Sequence, residues 1–232
     1  MKKTVVIHQP DFVPYIGFFH RLVKADLFVA LDHVQFVNGT SQAWTHRDKI
    51  KTHQGEKWLT ISVKKASRDT PINRIELSKN VDWRTANLRQ LEDAYRTAPY
   101  FKEIFPRLTL LYQQQEHYLA QFNLNVLTWL FEIFNLSIPV VLSSDLNVTG
   151  SKNTLLVNIL KKVDAGCYLS GIGAKAYYDP APFADADIEV LWQKFEHPVY
   201  QQQHGEFIPF LSCLDLLFNC GINQSRKLLK EI

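Results

Sequence analysis

The opening of the chain limits its fold more than any other stretch. Thr4 to Ile7 is a run of β-branched residues stopped by His8-Gln9-Pro10. Proline has no N–H to give a sheet, so the run predicts a short buried strand that opens into a loop at His8. Beyond Pro14-Tyr15-Ile16-Gly17, the spacing of Phe18, Leu22 and Ala25 fits one helix face, and Leu27 to Leu31 is a second apolar run closing on Asp32. Strand, loop, helix, strand is half of a doubly wound unit, whose ligands settle outside the carboxyl ends of parallel strands. His8 and Asp32 both stand at such ends and are candidate catalytic residues. Gln9 and Gly17 flank the helix start, where backbone N–H groups and the helix dipole favour an anion such as phosphate.

The rhythm then changes twice. Residues 44 to 78 alternate, with turns at Gln54-Gly55 and Asp69-Thr70-Pro71, and predict an antiparallel excursion with strands near Trp58–Val63 and Arg74–Leu77. From Asp82 to Asn135 the period is helical, with Asp82 as N-cap, Pro99 near a second helix start, and Leu119, Phe122, Val126, Leu130 and Ile133 as an apolar stripe. Strands at Ile138–Leu142, Cys167–Ser170 and Ile188–Leu191 and a helix at Leu155–Val163 restore the α/β pattern, followed by helices at Pro209–Phe218 and Ser225–Ile232. The expected fold is α/β and Rossmann-like, a mostly parallel sheet with an antiparallel insertion and a helical middle region. Residues 1–80 and 136–232 would form the site-bearing domain, and 81–135 an inserted helical subdomain.

Composition excludes more than it selects. The 26 basic and 23 acidic residues leave a net charge of +3, too little to announce a nucleic-acid partner. No apolar run reaches the ~18 residues of a membrane span, and the apolar stretch behind the N-terminus is too short for a signal peptide. The three cysteines have no C-x-x-C spacing and read as buried thiols of a reducing cytoplasm. The eight histidines show no H-E-x-x-H or similar set, so no metal site is expected.

Three further stretches carry candidate ligand contacts. Seven Lys or Arg fall between Arg47 and Arg68 against Asp48 and Glu56, a solvated basic hairpin or a phosphate clamp with Arg47 as bidentate partner and Lys51 as point charge. Ser170, Gly171 and Gly173 follow a strand, where glycine lets the backbone approach a phosphate or sugar. His197 and Tyr200 offer an acid/base group and a ring for packing, and Ser212, Asp215 and Asn219 share a helix face.

The blocks His8-Gln-Pro-x-x-x-Pro14-x-x-Gly17, Asp32-x-Val34-Gln35-Phe36, Arg47-x-x-Ile50-Lys51, Trp58-Leu-Thr60, Tyr168-Leu-Ser-Gly171 and Ser212-x-Leu-Asp-Leu-Leu-Phe-Asn219 occur in that order over nearly the whole chain. Together they resemble the WbqC-like family. The resemblance implies a setting in bacterial O-antigen or other surface-glycan synthesis, beside enzymes of nucleotide-activated amino sugars. Thr45-His46 departs from it, standing where an Asn would precede Arg47.

Three functions follow as expectations. The first is a transferase placing an acyl or aminoacyl group on the amine of a nucleotide-linked sugar, drawing on a thioester donor or acyl carrier, with His8 as base. The second is an ATP- and magnesium-dependent ligase or nucleotidylyltransferase. Against it, Tyr15-Ile16-Gly17-Phe18 stands where that superfamily carries H-x-G-H. The third is a non-catalytic binding protein of a glycan-assembly complex.

Overall fold

In the computed structural model, which describes residues 2–39 and 43–232, strand β1 (Thr4–His8) is the middle strand of a five-stranded parallel sheet. It is flanked by β2 (Leu27–Ala30) and by β6 (Cys167–Ser170), with β5 (Val140–Leu142) outside β2 and β7 (Glu189–Trp192) outside β6. The paired positions Val5↔Leu27 to His8↔Ala30 on one side, and Thr4↔Cys167 and Val5↔Tyr168 on the other, fix β1 in register. Alternation along β1 divides the core. Val6 faces the cluster that holds α1 (Ile16–Val23), while Val5 and Ile7 face the one that holds α5 (Lys152–Lys162) and α6 (Ala181–Ala184).

The expected α/β architecture is therefore present, with both α/β halves in one sheet. The chain runs outward from β1 to β2 and β5, then returns through α5 to β6 on the opposite side of β1. Strand order thus reverses between β1 and β6, the place at which such sheets form their ligand crevice, outside the carboxyl ends.

The antiparallel excursion lies within residues 44 to 78 and turns at Gln54-Gly55 as expected, but its strands pair differently. The hairpin pairs β3 (Arg47–Thr52) with β4 (Gly55–Thr60), while the 63–77 region makes the isolated bridges Gln35↔Pro71, Val63↔Leu77 and Glu76↔Tyr118 in place of a strand. Gly55, with φ +94°, makes the tight return. The strand was hidden because β3 buries Asp48, Ile50, Lys51 and Thr52 together, so its polar residues do not mark an outer face.

Helices α2 (Trp83–Tyr95), α3 (Phe101–Tyr112) and α4 (Leu119–Phe134) follow, and Asp82 caps α2 by accepting from Thr85 N at 3.1 Å. The five stripe residues of α4 are all buried, each adding about 1.5–3 kcal/mol. They share one apolar cluster with α1, β1 and α7 (Cys213–Glu231), which ties the helical segment to the sheet. The two helices expected at the C-terminal side are the two segments of α7, separated at Gly221, whose φ +73° and ψ 175° are not helical.

Candidate functional site

The loop after β1 is built by residues far apart in sequence. Asn123, fully buried on α4, donates through Nδ2 to Pro10 O at 2.7 Å and Thr45 O at 2.6 Å. Thr45 Oγ1 donates to Gln9 Oε1 at 2.9 Å and lies 3.4 Å from Asp11 Oδ1. Ser212 Oγ donates to Val13 O at 2.7 Å while Cys213 N donates to Pro14 O, so the start of α7 holds the loop from the other side. Between these clamps Val13 is forced to φ +40°, a costly conformation for a buried β-branched residue.

The clamps orient His8. Its Nδ1 faces Gln9 O at 3.1 Å and Asp11 Oδ2 at 3.3 Å, so that nitrogen carries the proton and Nε2 is left as an acceptor. The ring packs edge-on against Phe18 and keeps 34% of the side chain exposed, whereas Asp11 keeps 8%. Burial, reinforced by Arg21, lowers the imidazole to about 3. Burial raises the Asp11 carboxyl to about 7 against the opposing pulls of Arg21 and Thr45. At neutral pH the ring is a neutral base and its partner is close to its own midpoint.

Arg21 brings the second loop to the same place. It stems from α1, is 5% exposed, and a Cβ added to Gly171 would lie 3.4 Å from its Nη1. Ser170, 1% exposed, ends β6 just before Gly171 and receives the Gln193 N–H on its carbonyl. The β1 register carried forward sets Ser170 beside Ile7. His8, Gln9, Asp11, Arg21, Ser170 and Gly171 therefore gather at the strand-order reversal. Tyr15 folds back over Gly17, where a Cβ would meet its ring at 2.2 Å, which gives that glycine its reason.

The profile of the WbqC-like protein family matches residues 9–227. The chain belongs to the WbqC-like family. It is similar to the uncharacterized protein Rv1507c of Mycobacterium tuberculosis (strain ATCC 25618 / H37Rv), 32% identical over 223 residues that cover 95% of each chain. No solved structure matches.

Other expected site residues of this WbqC-like protein have partners of their own. Asp32 Oδ1 accepts from Ser143 Oγ at 3.0 Å and Ser144 N at 2.9 Å, and Oδ2 from Ser144 Oγ at 2.7 Å and Asn73 Nδ2 at 3.2 Å. With four donors in place it has no lone pair to offer a substrate, and it locks the β2 and β5 loops together. Lys51, 1% exposed, spends its ammonium on Gln202 Oε1 at 3.1 Å, Gly205 O at 3.2 Å and Glu206 O. Tyr200 donates to Asp215 Oδ2 at 2.9 Å, whose Oδ1 receives Tyr95. His197 Nδ1 faces Pro198 O at 2.9 Å and its ring contacts Phe195 and Phe210, both of which touch Tyr15. It stands one aromatic layer behind the crevice, and burial lowers its pKa. Arg47 lies over the Trp58 ring at 4.2 Å, and Gly173 sits in an exposed 3-10 turn.

Lys64, Lys65 and Arg68 line a separate concavity of about 640 Å³ with Gln35 and Phe36. Among the described residues no set of three or more His, Cys, Asp or Glu could hold a metal ion. No helix there is long and apolar enough to cross a membrane.

Asp11 and Arg21 were not among the expected site residues. The only sequence signal for Arg21 was a charge within Phe18-Phe19-His20-Arg21-Leu22, a stretch with no exposed face.

Proposed function

We propose that this WbqC-like chain transfers an acyl or aminoacyl group to the amine of a nucleotide-linked amino sugar used in bacterial surface-polysaccharide (O-antigen) synthesis. The observation that supports the reading is the state of His8. It is a neutral ring, 34% exposed at the reversal of strand order, with Nδ1 fixed by Gln9 O and Asp11 and Nε2 left as an acceptor. That is the form a general base must take to accept a proton from an attacking amine.

In the reaction the amine nitrogen forms the new C–N bond on the carbonyl carbon of a thioester, giving a tetrahedral oxyanion. His8 Nε2 takes the proton that the nitrogen loses. The C–S bond then breaks, and the departing thiolate takes up that proton, so the products are an amide and a thiol. No covalent attachment to the protein is required. The Gly171 backbone would serve the oxyanion, Gln9 and Ser170 the sugar, and Arg47, half-buried two residues beyond Thr45, the diphosphate.

The test is release of free thiol from an acyl or aminoacyl thioester in the presence of amino-sugar nucleotides, with the product identified by mass. His8→Ala is expected to lower kcat by about 10²–10⁴. Unchanged turnover in that variant, or equal turnover with a sugar nucleotide lacking the amine, would refute the assignment.

A further inference from the structure

Arg21 is the one feature of the site that the proposed reaction leaves unused, and its surroundings are unusual for a guanidinium. It is 5% exposed, and among the described residues its Nε has no hydrogen-bond partner and no carboxylate lies within ion-pair distance. Its side-chain neighbours are the Phe18 ring, over which Cζ lies 5.8 Å from the centroid, and the bare face of Gly171. Asp11, Tyr15 and Tyr168 are the groups near enough to influence it electrostatically. Both tyrosines are neutral phenols at neutral pH, and Asp11 is half protonated there.

An arginine cannot shed its charge to escape such a place, so in the free protein the cost of burial is offset only in part, by the Phe18 ring and the half-ionised Asp11. The position of Arg21 in the last turn of α1 brings partial relief from the helix dipole, but that helix has eight residues and its dipole gives Nε no acceptor. Most groups around the guanidinium are neutral. Tyr15, Tyr168 and the neighbouring Ser170 carry hydroxyls, His8 is a neutral ring, and Asp11 is half protonated. Gly171 keeps open the space in front of Nη1. A buried cation among mostly neutral groups, with a cleared approach, is complementary to an oxyanion.

We propose that Arg21 is the receptor for an oxyanionic group of the substrate, a carboxylate or phosphate, which docks between Gly171 and the His8 loop and completes the charge balance of the free protein. The inference rests on placing the site at His8 but not on the acyl transfer, and it is tested by binding alone. In the proposed reaction such an anchor belongs to the reactant whose amine or carbonyl must reach His8, and the fork of the guanidinium fixes its orientation.

The experiment follows thermal unfolding of the full chain in chloride, and in phosphate, pyrophosphate and acetate at matched ionic strength, for wild type, Arg21→Met and Gly171→Ala. The wild type is expected to rise by about 3 °C or more at ten times the Kd of a bound anion. Arg21→Met should match or exceed the wild-type midpoint in chloride, because a costly buried charge has been replaced by an apolar chain of similar length, and should bind the anion at least tenfold more weakly. Gly171→Ala keeps the charge and crowds Nη1, so it too should weaken the anion while remaining folded. A response to phosphate or pyrophosphate but not acetate identifies a phosphate group, and the reverse a carboxylate. The proposal is overturned if no anion stabilises the wild type beyond chloride, or if the shift survives in both variants. Activity lost in His8→Ala while anion binding persists would leave this inference standing on its own.

Discussion

His8 Nδ1 lies 3.3 Å from Asp11 Oδ2, and folding shifts the proton affinities of the two side chains in opposite directions. In the unfolded chain between about pH 4 and 6.5 the imidazole holds the proton and the carboxyl does not, whereas in the folded chain the shifts to about 3 and about 7 reverse that distribution. Taken singly, the lowered His8 makes stability fall as pH drops from 6.5 towards 3. The raised Asp11 gives stability that is full below 3.8 and lost as pH rises through 7. The two slopes are opposite across the shared window and cancel.

Asp11→Asn should expose that hidden compensation. Relative to wild type, the variant is expected to lose stability progressively as pH is lowered from 8 to 4.5, with a total swing of up to ~4 kcal/mol for a shift of three units. Urea unfolding of both proteins at several pH values gives the difference directly. A constant difference across the range would show that Asp11 does not titrate as described.

Asp32 is predicted to matter for stability and not for proton transfer. In Asp32→Asn an amide N–H₂ would replace one oxygen and face donors such as Ser144 Oγ and Asn73 Nδ2, at a cost of about 2–4 kcal/mol. The midpoint of denaturation should fall, while the pH profile of turnover should keep the wild-type shape.

Tyr95→Phe should cost more than Tyr200→Phe, although both hydroxyls donate to Asp215. Tyr95 OH also accepts the Lys51 backbone N–H at 3.1 Å, so its loss strands a buried donor as well as weakening the carboxylate. About 2–4 kcal/mol against about 1–2 kcal/mol is expected in chemical denaturation.

Gly221→Ala should be the most damaging single methyl. Its φ is +73°, and a Cβ there would lie 2.5 Å from the Tyr100 ring. The backbone penalty and the displaced ring together should cost at least ~2 kcal/mol, visible as a drop in the melting midpoint.

Where the chain advertises geometry, its sequence could be read. β-Branched residues ended by Pro10 located β1 and His8, and glycines behind an apolar run located the end of β6. Charge was harder to place. Lys51 stands in a polar-looking stretch and Arg21 in an apolar one, yet both are buried, Lys51 claimed by Gln202 and backbone carbonyls and Arg21 beside Gly171. Nothing local announces those neighbours, because they lie in segments more than a hundred residues away. Asp11 was likewise hidden, its burial set by Thr45 and Asn123, and the hairpin at β3 was hidden by burying its own polar residues.

The clamp between Ser212 and Val13 joins residues 199 positions apart. During synthesis β1 leaves the ribosome first, but the loop behind it cannot take its strained shape until α7 has been made and docked. The crevice is thus among the last parts of the molecule to mature, and a nascent chain lacking α7 carries all the residues gathered around His8 without yet having the site.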